Sequence, residues 1–192
     1  MAMTYAATAI PESSVPKAAS PVFQHLLDIY AGETSKVDTV WASFADGDLS
    51  FRIHPKSSSV QEIMRHQLLS ERRFFGEFLG SAEPLAEDVI PKEPTVAALR
   101  RRLVDLARPR LAYLASFGEP WWLSRAPFFD VTRERIWIFW RRVLHTAHHR
   151  TQLAVCLRLL GKPVPPIYGP TADVTWTGAD PTTTAATAGR KG

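Results

Sequence analysis

The chain has 192 residues, of which 45% are apolar and 22% charged, a balance that supports one folded core and excludes a disordered protein. Its single cysteine, Cys156, excludes an intramolecular disulfide and a metal site of paired thiolates. A net charge of +4 permits nucleic-acid binding without arguing for it. No apolar run reaches the roughly 18–20 residues that cross a bilayer, and the first twenty residues lack the apolar centre of a signal peptide. We therefore expect a soluble, cytoplasmic protein with no membrane partner.

Composition divides the chain into three parts. Residues 1–20 and 176–192 are rich in Ala, Ser, Thr, Pro and Gly without apolar periodicity, so we expect flexible arms at both ends. Trp176 predicts that the start of the C-terminal tail docks on the domain. The segment between the arms, residues 21–175, carries the periodicity of one folded domain.

Apolar spacing at three and four residues predicts four long helices in this domain. The first runs from Pro21 toward Phe44, and the second and third cover residues 60–80 and 95–117, with a kink at Pro109. The fourth is capped by Thr132 and reaches Leu160. The aromatic loop 119–130 before it either walls a pocket mouth or plugs the end of the bundle. No segment alternates like a strand, so we predict an all-α protein, an antiparallel four-helix bundle of irregular connectivity with flexible N- and C-terminal arms.

The fourth helix carries the most informative residues. His145 and His149 are four residues apart and stack one turn above the other, a spacing that suits one metal ion. They share a sector of the helix with apolar residues, which predicts that both imidazoles point into the bundle. A metal would satisfy both rings at once, whereas an ordinary polar core needs a separate hydrogen bond for each. The spacing alone leaves these two interpretations equal.

A third histidine would decide between them. His66, at the edge of the apolar face of the second helix, is the best candidate, and His25 and His54 compete for the role. His148 projects about 100° away from His149 and is the least suitable. Three neutral imidazoles leave at least one coordination position open, as in catalytic zinc sites. Candidate residues for holding the ligands in place are Gln152, Glu62 and Glu71.

Three sequence segments resemble the DinB/YfiT-like superfamily: Pro55–His66, His145–Leu153 and Leu159–Asp173. The resemblance covers roughly residues 21 to 175. It implies a four-helix bundle, usually dimeric, that holds a divalent metal, often zinc or nickel, on three histidines. Carried over onto this chain, the metal ligands are His66, His145 and His149, and iron is a further possible ion.

Some members of this superfamily are thiol-dependent S-transferases or isomerases, and others are hydrolase-like. The resemblance therefore implies a metal-dependent transferase or hydrolase that uses a low-molecular-weight thiol or another small molecule as substrate. The alternative is a non-catalytic, stress-related binding module with a structural or vestigial metal. The sequence names no catalytic residue beyond the metal ligands.

Three further features have competing interpretations. Arginines on the third and fourth helices are spread around the helices rather than gathered on one face, which makes nucleic acid an unlikely partner. Arg142 shares the histidine sector and either holds a substrate anion or pairs with an acid at the edge of the core. A second apolar strip on the fourth helix either meets a neighbouring helix or forms a homodimer seam; it comprises Trp137, Trp140, Leu144, Ala147, Thr151 and Val155. Cys156 is predicted to be a small core residue.

Overall fold

The computed structural model describes residues 8–174, most of which are helical. The four long helices are α1 (Gln24–Ala42), α2 (Val60–Arg73), α4 (Val96–Ala115) and α6 (Arg135–Leu159), and the short ones are α3 (Ala86–Val89) and α5 (Glu119–Leu123). Two strands, β1 (Arg125–Phe128) and β2 (Val131–Glu134), pair as an antiparallel hairpin. The predicted helical bundle is confirmed, with this hairpin added to it.

The helix boundaries follow from local chemistry. Ser59 caps the start of α2. Its side chain accepts a hydrogen bond from the Glu62 backbone N–H, and the Glu62 carboxylate accepts one from the Ser59 backbone N–H. Thr95 caps α4 in the same way by accepting from Ala98 N–H. The α2 helix continues through a π-helical turn, Phe74–Phe78, and the chain then reverses at Gly80, whose φ of +81° glycine adopts without strain.

The hairpin corrects two expectations. The prediction of no strand was wrong, because four-residue strands are too short to show a period of two. The last long helix begins at Arg135 rather than after Thr132, which lies in β2. Phe129 occupies the two-residue turn at φ +53°, a left-handed conformation that is strained for a bulky residue.

The aromatic residues before the hairpin fill the end of the bundle. Trp122 is fully buried and packs its ring against Phe23 and Phe139 at centroid distances of 5.7 and 5.6 Å. Of the two interpretations of this loop, the structure supports the one in which it plugs its own bundle. Of the loop aromatics Trp121, Trp122, Phe128 and Phe129, only Phe129, 58% exposed, lies at the surface.

The bundle has two apolar clusters with a polar layer between them. One cluster gathers around Phe75, Trp122 and Phe139, and the other around Trp41 and Leu153. Along α1, α2 and α6 several buried residues near the junction of the two clusters are polar or charged. They are Glu33, Thr34, Ser35, Asp38, Gln67, Glu71, Arg142 and Arg150. Buried charges need partners, so this layer fixes how the three helices align.

Part of the expected N-terminal arm packs on the bundle. Ile10 is 2% exposed and its backbone N–H donates to Ser35 Oγ at 3.1 Å, and Ala19 N–H donates to the Ala115 carbonyl. Residues 1–7 and 175–192 lie outside the described residues. They include Trp176, on which the predicted docking of the C-terminal tail depends. Among residues 8–174, no helix combines the length and the apolar character that a bilayer span requires.

Candidate metal centre

Three histidines from two helices meet at the edge of the polar layer. His66 lies on α2, and His145 and His149 lie one turn apart on α6. The Nε2 atom of His145 is 3.2 Å from that of His149 and 3.4 Å from that of His66. The fold therefore brings the three predicted residues together. Their rings lie at the rim of the bundle rather than in its interior, since His66 is exposed and the other two are only half-buried.

The spacing of the three nitrogens fits one metal ion. One ligand atom from each histidine lies within 4.8 Å of the other two. Two imidazole nitrogens at about 2.0–2.1 Å from a tetrahedral zinc ion are about 3.3 Å apart. The distances of 3.2 and 3.4 Å match this value without any movement of the helices. The donor set therefore fits a divalent metal, while occupancy by one stays a prediction.

The surroundings keep the three imidazoles neutral. Burial, followed by the nearby Arg142 guanidinium, lowers the pKa of His145 from 6.5 to about 3. Burial also lowers the pKa of His66 and His149. Phe74 contributes to this desolvation by stacking on His145 at a ring distance of 6.0 Å. Neutral rings at pH 7 leave nitrogen lone pairs free to bind a metal.

Gln152 orients His149. Its Oε1 atom lies 2.7 Å from His149 Nδ1, and because an amide oxygen only accepts, Nδ1 carries the proton. The lone pair of His149 then lies on Nε2, the atom that faces the other two histidines. Gln152 therefore acts as the predicted partner that holds a ligand in place.

Arg142 holds His145 differently. Its Nη1 lies 2.9 Å from His145 Nδ1, and because a guanidinium only donates, Nδ1 must accept. In the neutral ring the proton is then on Nε2, where it can donate to His149 Nε2 at 3.2 Å. Binding an ion through His145 Nε2 requires loss of this proton or movement of Arg142 away from Nδ1. The metal-free histidines thus form a hydrogen-bonded polar group of their own.

A buried ion cluster lies behind Arg142. Glu71 is 3.6 Å from Arg142 Nη2 and 3.5 Å from Arg110 Nη1, and Arg110 also forms two hydrogen bonds with Glu83 at 2.8 and 2.6 Å. Arg142 is 2% exposed and also donates to Ser70 Oγ and the Gln67 carbonyl. Of its two interpretations, the one in which it pairs with a buried acid is correct, and it is not accessible to a substrate anion.

The other candidate residues lie outside the cluster. Glu71 reaches His145 only through Arg142, and Glu62 is held by the α2 cap and by Arg52 at 2.8 Å. His25 is exposed and contacts the Val22 carbonyl, and the exposed His54 contacts Lys56 N–H. His148 is exposed and packs its ring on His149 at 4.9 Å, pointing away from the shared centre. None of these three histidines joins the group of converging nitrogens.

A pocket of about 290 Å³ opens beside the histidines, and sequence reasoning missed it. His66 and His149 form one wall, and the loop before α2 forms another. The remaining lining residues are Ile53, Ser57, Ser58, Ile63, Gln152, Val155 and Cys156. No periodic signal marks the loop residues, because a loop position depends on tertiary packing. Cys156 is 2% exposed, as expected of a core residue, and burial raises the pKa of its thiol.

Comparison with known proteins identifies the family. The DinB family model matches residues 16–180, which is most of the chain. The chain belongs to the DinB family. It is similar in fold to a DinB-like protein of Bacillus cereus, with a TM-score of 0.64 and 19% identity over 74% of this chain and 95% of that one. A DinB-like protein of Bacillus subtilis gives a TM-score of 0.59 and 16% identity over 75% and 96% of the two chains. A search of curated proteins gives no match.

Proposed function

We propose that this DinB-family protein is a metal-dependent enzyme of the thiol-transferase or hydrolase type. The observation that supports the proposal is the convergence of three imidazole nitrogens, with two of the three histidines, His66 and His149, lining a 290 Å³ pocket. His66, His145 and His149 would hold a divalent ion, zinc or nickel in the first place and iron as a further candidate. When bound, such an ion lowers the pKa of a coordinated water or thiol and so supplies a nucleophile at neutral pH.

The protein's own residues prepare the site for this chemistry. Gln152 aims the lone pair of His149 at the centre. Arg142 holds the ring of His145 in place with a proton on Nε2, which binding of an ion must displace. Phe74 stacks beside the His145 ring at a centroid distance of 6.0 Å and contributes to its desolvation. The pocket lies on the open side of His66 and His149, where a small molecule can reach the centre. Three protein ligands leave room for a nucleophile and a substrate on that side.

An exogenous-ligand experiment tests whether the centre is open. We expect Co²⁺ added to the metal-free protein to give visible d–d bands that change when azide or a small thiol such as dithiothreitol is added. His149→Ala should lose the bands, whereas the control His148→Ala, on the adjacent exposed residue of the same helix, should retain them. Bands that no added ligand perturbs would contradict an open site. The same loaded protein is then assayed with thiol-plus-electrophile pairs and with esters and amides.

A non-catalytic module with a structural or vestigial metal is the second candidate. Its vestigial form is favoured by the hydrogen bonding available to the histidines without an ion, since His145 Nε2 lies 3.2 Å from His149 Nε2. Its structural form predicts a closed centre and a bundle that depends on the ion. Chelator treatment that lowers the thermal midpoint by tens of degrees, together with unchanged Co²⁺ bands in azide, would support it over the enzyme.

The proposal includes a homodimer formed through the exposed strip of α6. Trp137, Leu144 and Val155 are 41%, 63% and 47% exposed and follow one another along this helix. Their exposure favours the seam interpretation of the strip. Leu144→Glu should convert a dimer to a monomer in sedimentation, whereas Leu85→Glu, 62% exposed and far from α6 in sequence, should not. A wild-type protein that is already a monomer in sedimentation would contradict the proposed homodimer.

Nucleic acid is not among the proposed partners, because many of the arginines form ion pairs with acids or hydrogen bonds with backbone carbonyls. Asp38 binds Arg100, Glu83 binds Arg110, and Glu33 binds Arg150. Binding to duplex DNA at low salt that weakens steeply as salt is added would contradict this exclusion. The proposed location is the cytoplasm, in keeping with the free thiol of Cys156. Cell fractionation tests it.

A further inference from the structure

The chemical character of the pocket beside the histidines follows from its lining residues. Its lining residues other than the histidines are apolar or uncharged: Ile53, Ile63, Val155, Cys156, Ser57, Ser58 and Gln152. The nearest ion pair behind this loop is internally neutralised, because Arg52 donates both to the Ser57 carbonyl and to the Glu62 carboxylate. Away from the metal centre itself, a charged ligand in the pocket would lose water without gaining an opposite charge from the other lining residues.

The size of the pocket limits its occupant. About 290 Å³ lies just below the roughly 300–1,000 Å³ that small-molecule sites span, and is about twice the roughly 150 Å³ of a cavity that holds one benzene ring. A substituted aromatic ring or a branched chain therefore fits in this space. Ile53 and Val155, 49% and 47% exposed, stand at the mouth and would lose exposed apolar surface when the pocket fills.

Polar groups are present at defined points of the apolar wall. Ser57 and Ser58 offer hydroxyls from the loop, and Gln152 offers its amide N–H₂ while its oxygen is engaged by His149. A mainly apolar wall with a few convergent hydrogen-bonding groups is typical of sites that fix the orientation of a neutral organic molecule. The polar end of such a molecule would point to Gln152 and hence toward the histidines.

We propose that this pocket binds an uncharged, mainly apolar molecule of about the size of one substituted ring, and that this is the substrate class of the centre. The proposal deepens the proposed function and rests on it, because only an active metal centre would make the bound molecule a substrate. Binding itself does not need the metal, because the lining groups belong to the protein. The test therefore uses metal-free protein, so that loss of the metal hypothesis and loss of the pocket hypothesis give different results.

The probes are benzyl alcohol, benzoate and benzylammonium, which share one ring and differ in charge. In two-dimensional amide NMR of the full chain, benzyl alcohol should give saturable shifts at Ser57, Ser58 and Gln152. Its affinity should exceed that of either charged probe by at least tenfold. Equal affinities for all three probes, tighter binding of a charged probe, or shifts confined to residues elsewhere would overturn the proposal.

A pocket-filling variant provides the matched comparison. Val155→Trp should weaken benzyl alcohol binding by at least tenfold, because the indole would occupy the mouth. Leu159→Trp, on the same helix and 60% exposed but outside both the pocket lining and the strip proposed as the dimer seam, should change the affinity by less than twofold. Unchanged binding in a folded Val155→Trp protein would overturn the proposal. If that variant does not fold, the selectivity among the three probes in the native protein decides the question.

Discussion

Replacing Glu71 by glutamine removes one of the two carboxylates that face two buried guanidiniums. Glu71 is 3% exposed, and Arg110 and Arg142 are 1% and 2% exposed. Two opposite charges about 4 Å apart attract each other by about 4 kcal/mol at an effective dielectric constant of about 20. Arg110 keeps its bonds to Glu83, whereas Arg142 keeps no carboxylate among the ion pairs of residues 8–174. We therefore expect a loss of about 3–5 kcal/mol in the free energy of unfolding, the usual cost of leaving a buried charge unpaired.

Urea denaturation measures this loss, with Glu62→Gln as the control on the same helix. The Glu62 side chain is 49% exposed, and glutamine retains the capping hydrogen bond, so its cost should be small beside that of Glu71→Gln. The double variant Glu71→Gln, Arg142→Met should lose less stability than the sum of its single changes, by about 1–3 kcal/mol. Equal costs for Glu71→Gln and Glu62→Gln would refute the idea that this buried cluster aligns the helices.

Two further predictions concern the centre. The pKa of His145, about 3 in the folded protein, is below its unfolded value of about 6.5, so the unfolded chain binds more protons between these pH values. The stability of the metal-free protein should therefore fall as pH drops below about 6.5, by less than about 1.4 kcal/mol per pH unit for this half-exposed ring. His145→Gln should flatten this slope in urea midpoints between pH 7 and 5, and equal slopes would contradict the shift. Gln152→Ala should weaken metal binding about 10–100-fold by releasing His149, while the adjacent Thr151→Ala should not; equal affinities in competition with a chelator dye would count against this role.

The long helices could be predicted from the sequence because their apolar residues recur at helical spacing and their ends carry strong signals. Ser59 and Thr95 cap the helices where the pattern places them. The hairpin could not be predicted from the sequence, because Val131–Glu134 has no apolar alternation and is stabilised by pairing with β1. Local propensity is weak in so short a segment, and tertiary contact decides it.

The candidate metal ligands could be predicted from the sequence for a different reason. The spacing of His145 and His149 fixes their geometry on one helix. His66 joins them across 79 residues, and its place on the second helix left His25 and His54 as competitors until the family resemblance singled it out. The role of Arg142 was open because its partner, Glu71, is also far away in sequence. The pocket depends on loop residues such as Ser57 and Ser58, whose positions no periodic pattern specifies.

The metal content of purified, untagged protein tests the central claim most directly. We expect close to one divalent ion per chain in the wild type after incubation with zinc, nickel or iron and removal of excess. His66→Ala, His145→Ala and His149→Ala should each lose it, and His148→Ala should retain it. A wild type that binds no ion, or an ion that all four variants keep, would contradict the centre and reduce the three histidines to a hydrogen-bonded polar cluster.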